Sequence, residues 1–196
     1  MAETLTATSP LQGYRDKFAN VPPSVELSEE PFVAMLDLRV DADGPAASEV
    51  SAILGLQLPN TPSTYVGADT LTAIWMAPDE WLITGGTVPA VALETQLRSA
   101  VGEHGGAAID VSAQRTTIRL SGANARDLLA KGCSLDLHPT VFRKGTAAQT
   151  MLGLAGVVLI ALDDAGTDYR ILVRSTFARY LADWLIDAAE EFGITG

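Results

Sequence analysis

The sequence predicts an α+β fold in which helices pack on mixed, mostly antiparallel sheets. Three stretches predict it. Asp110 to Leu162 reads as strand, helix, strand, strand, and Thr70 to Val111 reads as hairpin, helix, strand. The chain then closes on an amphipathic helix in which Phe177, Tyr180, Leu181, Trp184, Leu185, Ala188 and Phe192 recur at helical spacing. No internal sequence repeat is visible and no composition break divides Val25 from Gly193, so residues 25–196 are expected to form a single domain behind an N-terminal arm, 1–24.

The elements follow in order. Met1 to Pro23 has no sustained period and is punctuated by Ser9-Pro10 and Pro22-Pro23, with Leu11, Tyr14 and Phe18 as apolar anchors. Such an arm either wraps its own domain or reaches a neighbour. Val25 to Leu27 and Phe32 to Val40 read as strands, the second with Phe32, Ala34, Leu36 and Leu38 on one face. Ala46 to Leu54 is a short helix stopped at Gly55, and Pro59 and Pro62 make the next segment a loop. Thr70 to Met76 and Glu80 to Thr84 pair across Pro78-Asp79, a tight-turn dipeptide, and Gly85-Gly86 ends the hairpin. Pro89 opens a helix to about Glu103 whose apolar side is Ala90, Leu93, Leu97, Ala100 and Val101. Glycines 102, 105 and 106 release the chain into the strand Ala107 to Val111.

In the next unit Ile118 and Leu120 share one side of the strand Thr116 to Ser121. Ser121-Gly122 supplies a cap and turn, Ala123 to Lys131 a helix, and Gly132 stands where a helix end favours a left-handed residue. Thr146 to Leu152 and Gly156 to Leu162 are strands. The turn Asp163 to Thr167 leads back through Tyr169 to Val173, and Ser175 is placed to cap the last helix.

Composition excludes several function classes. Twenty-four acidic against 13 basic residues give a net charge of −11, which argues against nucleic acid or an anionic membrane as partner. The longest apolar run, Leu152 to Leu162, is broken by glycines and too short to span a bilayer. Met1 to Leu5 lacks the basic and apolar regions of a secretory signal, and the single cysteine, Cys133, precludes an internal disulfide. Both fit a cytoplasmic protein.

Candidate chemistry is sparse. Cys133, Asp136 and His138 lie within six residues, with Asp110 and Ser112 as further members of a nucleophilic set. Cys133 follows a helix C-terminus, however, where the dipole disfavours a thiolate, so it reads as a small packing residue. Two distant histidines, His104 and His138, and one cysteine do not make a metal-ligand pattern, and His138 is expected to bond to loop backbone. Glycines 102, 105 and 106 follow a helix rather than precede one, and Gly85-Gly86 alone is a weak phosphate signal. Trp75 and Trp184 read as core. Trp81, just after the turn, is a candidate contact residue, the alternative being a hairpin residue buried under the arm. In so acidic a chain Arg115, Arg119, Arg170 and Arg174 are expected to pair internally.

A resemblance adds to this reading. Ile109-Asp110-Val111-Ser112, the run from Ile118 to Leu129, Asp136-Leu137, Gly145 to Thr150 and Ala155 to Val158 look like the folate-binding core of the glycine-cleavage aminomethyltransferases. Pro31-Phe32, Leu38-Arg39, Leu58-Pro59, the segment from Ala77 to Leu82, the segment from Lys131 to Pro139, and Arg174-Ser175 before Tyr180-Leu181 and Trp184-Leu185 resemble, more closely, the gamma subunits of heterotetrameric sarcosine oxidases. That resemblance implies an aminomethyltransferase-like fold and a place in a complex with alpha, beta and delta subunits. Such a complex oxidises sarcosine to glycine, with hydrogen peroxide and formaldehyde or 5,10-methylenetetrahydrofolate as products. It implies FAD, FMN, NAD and zinc in the partner subunits and none in this chain. Aminomethyltransferases follow the glycine turn with acidic residues that engage the folate amine, whereas Gly156 to Leu162 is wholly apolar here. The resemblance therefore implies a subunit without catalytic residues, with Tyr14, Phe18 and Trp81 as candidate interface residues. The competing readings are a free-standing folate-binding or aminomethyltransferase-like enzyme, and a cysteine-dependent enzyme built on Cys133.

Overall fold

A computed structural model describes residues 6–67, 70–85 and 89–193. Among these residues the strands form two five-stranded sheets in which every pairing is antiparallel. The first sheet runs β1 (Glu26–Glu30), β7 (Arg115–Ser121), β10 (Asp168–Arg174), β9 (Ala155–Ala161), β8 (Ala147–Leu152). The second runs β3 (Tyr65–Gly67), β4 (Thr72–Ala77), β5 (Glu80–Gly85), β2 (Ala34–Arg39), β6 (Ala107–Asp110). The helices are α1 (Arg15–Ala19), α2 (Ala47–Leu54), α3 (Ala90–Gly102), α4 (Ala125–Ala130) and α5 (Ala178–Ala189).

Period two along the strands sorts the apolar side chains into three cores. Met35, Ile74 and Leu82 of the second sheet meet Val158, Ile160 and Leu172 of the first, so the sheets lie face to face. On the outer side of the first sheet Ile118, Leu120, Leu159 and Ile171 pack under Leu128 of α4 and Leu185 of α5. On the outer side of the second, Leu36, Leu38 and Ile83 pack under Val50 of α2 and Leu97 of α3. The layers are thus helix, sheet, sheet, helix. Each fully buried Leu, Ile or Val contributes about 1.5–3 kcal/mol, and β9, buried on both faces, contributes from both. This double burial is why Gly156 to Leu162 shows no polar alternation.

The chain crosses between the sheets twice near one end of the sandwich. The first crossing, between β1 and β2, turns at Phe32, whose φ is 58°. Phe32 therefore lies outside the strand predicted for Phe32 to Val40 and is 65% exposed. The second crossing, between β6 and β7, is a 3-10 turn over Ser112–Gln114. There the Met35 N–H donates to Ser112 Oγ at 2.9 Å, and Ser175 Oγ donates to the Ala113 carbonyl at 3.0 Å.

That last bond revises the role expected for Ser175. It opens a 3-10 turn, Ser175–Phe177, and gives its hydroxyl to the crossing instead of capping α5. Ser121 likewise does not cap α4, which starts at Asn124 without a side-chain bond. Gly122 is needed for a different reason: its φ is 116°, and a Cβ there would sit 2.4 Å from the Ser24 carbonyl oxygen. Gly132 is not left-handed. It admits Trp184, whose Cζ2 would lie 2.5 Å from an added Cβ. On α5, Leu181, Leu185 and Ala188 are buried as expected, whereas Tyr180, and Phe177 in the turn before the helix, face solvent.

The arm lies on its own domain. Leu11, Tyr14 and Phe18 are buried in the first sheet's outer core. Tyr14 Oη donates to Asp183 at 3.0 Å and Lys17 pairs with the same carboxylate at 3.2 Å. Burial, and then the Asp183 bond, raise the Tyr14 pKa above the usual phenol value. Residues 1–5 and Gly86, named above, lie outside the described residues.

Candidate functional site

Polar side chains converge between the two sheets in a cleft beside the inter-sheet core. It encloses about 140 Å³ and is lined by Glu30, Tyr65, Thr72, Thr84, Thr117 and Arg170 among others. It opens into a shallower groove of about 250 Å³ that adds Arg119, Lys144 and Asp168. Position follows from the strands: Glu30 ends β1, Arg119 is on β7, and Asp168 and Arg170 are on β10, all in one sheet.

Its acidic groups are already engaged. Arg170 Nε donates to Glu30 Oε2 at 2.6 Å and its Nη2 to Oε1 at 3.1 Å. Arg119 makes the same two-pronged contact with Asp168, at 3.0 and 2.7 Å. Each bidentate arginine thus occupies both oxygens of its carboxylate with N–H donors. Tyr65 Oη donates to the Ala161 carbonyl at 2.8 Å, and burial raises its pKa above the usual phenol value. Both carboxylates and the Tyr65 hydroxyl of the cleft are thus taken up by the chain's own bonds.

The nucleophilic set of the sequence does not assemble. Cys133 is half-buried in a bridge to Leu152, with Sγ 3.9 Å from Thr150 Oγ1. The Asp136 carboxylate accepts the His138 backbone N–H at 2.9 Å, while His138 Nδ1 faces Thr140, whose backbone N–H donates to it at 3.3 Å. His138 therefore bonds within its own loop, to the Thr140 hydroxyl at 2.8 Å as well as to backbone. Asp110 Oδ1 accepts both the N–H and the hydroxyl of Ser112, tying down the crossing turn. Among the described residues no cluster of three or more His, Cys, Asp or Glu side chains is placed to hold a metal ion. No described helix is long and apolar enough to cross a membrane.

Trp81 corrects an expectation of exposure. It is 0% exposed, packed in the second sheet's outer core, and its Nε1–H donates to the Pro59 carbonyl at 2.8 Å. The cover is the Leu58-Pro59 loop, not the arm. The arginines divide: Arg119 and Arg170 pair internally, whereas Arg115 and Arg174, directly opposite each other on β7 and β10, have no carboxylate within ion-pair distance among the described residues. Burial and then Arg174 lower the Arg115 pKa. The Glu30 and Asp168 pairings were not legible beforehand, because each joins residues far apart in sequence.

Two face-to-face antiparallel sheets with outer helices are an architecture this chain shares with the aminomethyltransferase class of fold. A glycine-cleavage aminomethyltransferase T from Bartonella henselae superposes with a TM-score of 0.61 at 16% identity, over 87% of this chain and 48% of that one. The chain belongs to the sarcosine oxidase, gamma subunit family, whose model matches residues 39–191. The sarcosine oxidase subunit gamma of Corynebacterium sp. strain U-96 is 34% identical over 86% of this chain and 81% of its own. That of an Arthrobacter species is 33% identical over 86% of this chain and 82% of its own. A chain of the heterotetrameric sarcosine oxidase from Corynebacterium sp. U-96, solved with pyrrole 2-carboxylate, superposes with a TM-score of 0.90 at 31% identity, over 97% and 98% of the two chains.

Proposed function

We propose that the chain serves as a non-catalytic gamma subunit of a heterotetrameric sarcosine oxidase, held in place by packing against its partners. The complex would demethylate sarcosine to glycine oxidatively, yielding hydrogen peroxide and formaldehyde or 5,10-methylenetetrahydrofolate. FAD, FMN, NAD and zinc would reside in the alpha, beta and delta subunits, and the assembly would be cytoplasmic. The observation that carries the non-catalytic part is the pairing of Glu30 with Arg170 and of Asp168 with Arg119, which ties both carboxylates of the inter-sheet cleft into the chain's own ion pairs. The near-complete superposition on a chain of the Corynebacterium complex supports the assembly part.

Tyr14, Phe18 and Trp81 act at the subunit interface only indirectly, because their side chains are consumed by the chain's own core. Tyr14 and Phe18 fix the arm, and Trp81 fixes the β4–β5 hairpin, so that the outer surfaces of both can meet a neighbour. Co-expression with the flavoprotein subunits, followed by size-exclusion chromatography, tests the reading. The chain is expected to elute with them at one copy per complex. Elution as a separate species, together with tight binding of tetrahydrofolate by the isolated chain, would favour the free-standing folate enzyme instead.

A further inference from the structure

At the end of the sandwich where the chain crosses between sheets lies a groove of about 540 Å³. Its walls are Ser9 and Pro10 of the arm, Phe32 and Ala113 of the two crossings, and Arg115 and Arg179. Two independent features mark it. The first is charge: in a chain of net charge −11, neither Arg115 nor Arg179 has a carboxylate within ion-pair distance among the described residues, and neither does Arg174 beside Arg115. Asp37 and Glu80 act on Arg115 only at longer range. Arg179 spends its Nε on the Pro10 carbonyl at 3.2 Å. The nearby Glu29 carboxylate is taken by the hydroxyls of Ser9 and Thr116. The second is strain: Phe32 adopts φ 58° with 65% of its surface in water. Asparagine or glycine would make that turn at less cost, and a bulky residue held in a left-handed conformation is a marker of function.

We propose that this groove docks an acidic segment of a neighbouring subunit, seating a carboxylate against Arg115 and Arg179 and an apolar side chain against Phe32. The inference rests on the subunit reading above and names the surface that reading leaves open. Arginine favours this use because its planar fork binds a carboxylate at two points, and Arg115 is already partly stripped of water. Phe32 supplies an aromatic anchor beside the charges. The walls are set in advance by the Met35–Ser112 and Ser175–Ala113 bonds, so docking does not have to order them.

The test compares full-length variants in complexes co-expressed with the flavoprotein subunits. Arg179→Ala and Arg115→Ala are each expected to weaken retention of the chain about tenfold or more and to flatten its dependence on salt. Phe32→Asn is expected to weaken retention while raising the Tm of the isolated chain by about 2–4 °C, since it relieves strain. That opposition separates an interface role from a folding role, and it stands even if Arg115→Ala folds poorly. If the wild-type chain assembles and Arg179→Ala and Phe32→Asn assemble as tightly, the groove proposal is overturned and the subunit reading survives. If the wild-type chain does not assemble, the subunit reading itself fails. Self-association of the isolated chain that Arg179→Ala abolishes would assign the groove to a second copy and also overturn the proposal.

Discussion

Trp81 shows how one side chain holds a hairpin to the rest of the chain. Its indole donates to the Pro59 carbonyl inside a core where neither group meets water. Trp81→Phe strands that carbonyl and leaves a void, at a cost of about 1–3 kcal/mol. Thermal unfolding should show the Tm falling by several degrees. Tyr169 is the opposite case: its hydroxyl is buried with no partner among the described residues, and burial followed by the Asp163 charge pushes its pKa up to about 12. Tyr169→Phe removes a desolvated hydroxyl that bonds to none of the described residues, so stability should hold or rise in the same assay. Asp163 gives a pH dependence. Burial raises its pKa, but the Thr167 hydroxyl and the N–H groups of Thr167, Gly166 and Asp168 more than offset this and hold it below the usual carboxylate value. A carboxyl depressed in the folded state stabilises above its unfolded pKa of about 4, and that contribution fades as pH falls through the folded value. Denaturant titrations between neutral pH and about pH 3 should show the wild type losing more stability than Asp163→Asn. Equal losses would contradict the assignment.

Among the elements, the α4–loop–α5 contact depends on Gly132, because Trp184 occupies the space of a Cβ. Gly132→Ala should cost about 1–3 kcal/mol through overpacking, read as a lowered denaturation midpoint. The fold was legible where period and length agreed: α2, α3, α5, the β4–β5 hairpin and β7 to β10 lie within a few residues of their predicted ranges. The buried face of α3 and the helix-side face of β10 were named residue by residue, because their apolar residues recur at the helical and the strand period. What was not legible depends on contacts distant in sequence. Nothing local says that β1 pairs with β7 or that the chain changes sheets at Phe32, since phenylalanine is not a turn residue. Gly132 was misread for the same reason, its partner being 52 residues away on α5. In the site, the apolar character of β9 was visible in the sequence. The arginine clamps on Glu30 and Asp168 were not, because they join β1, β7 and β10.

At the scale of the molecule, β1 belongs to one sheet while β2 belongs to the other, and the two sheets share one core. We infer one cooperative unit, and a single unfolding transition with coincident fluorescence and circular dichroism is expected. An aminomethyltransferase-type sandwich whose cleft carboxylates are clamped by arginine can still present its rigid outer surface to partners, since fold alone does not carry chemistry. The most direct measurement is sarcosine turnover by the assembled complex with Glu30→Gln and Cys133→Ser placed in this chain. Turnover per complex equal to wild type is the predicted result. A loss of tenfold or more in a complex that assembles normally would contradict a non-catalytic role.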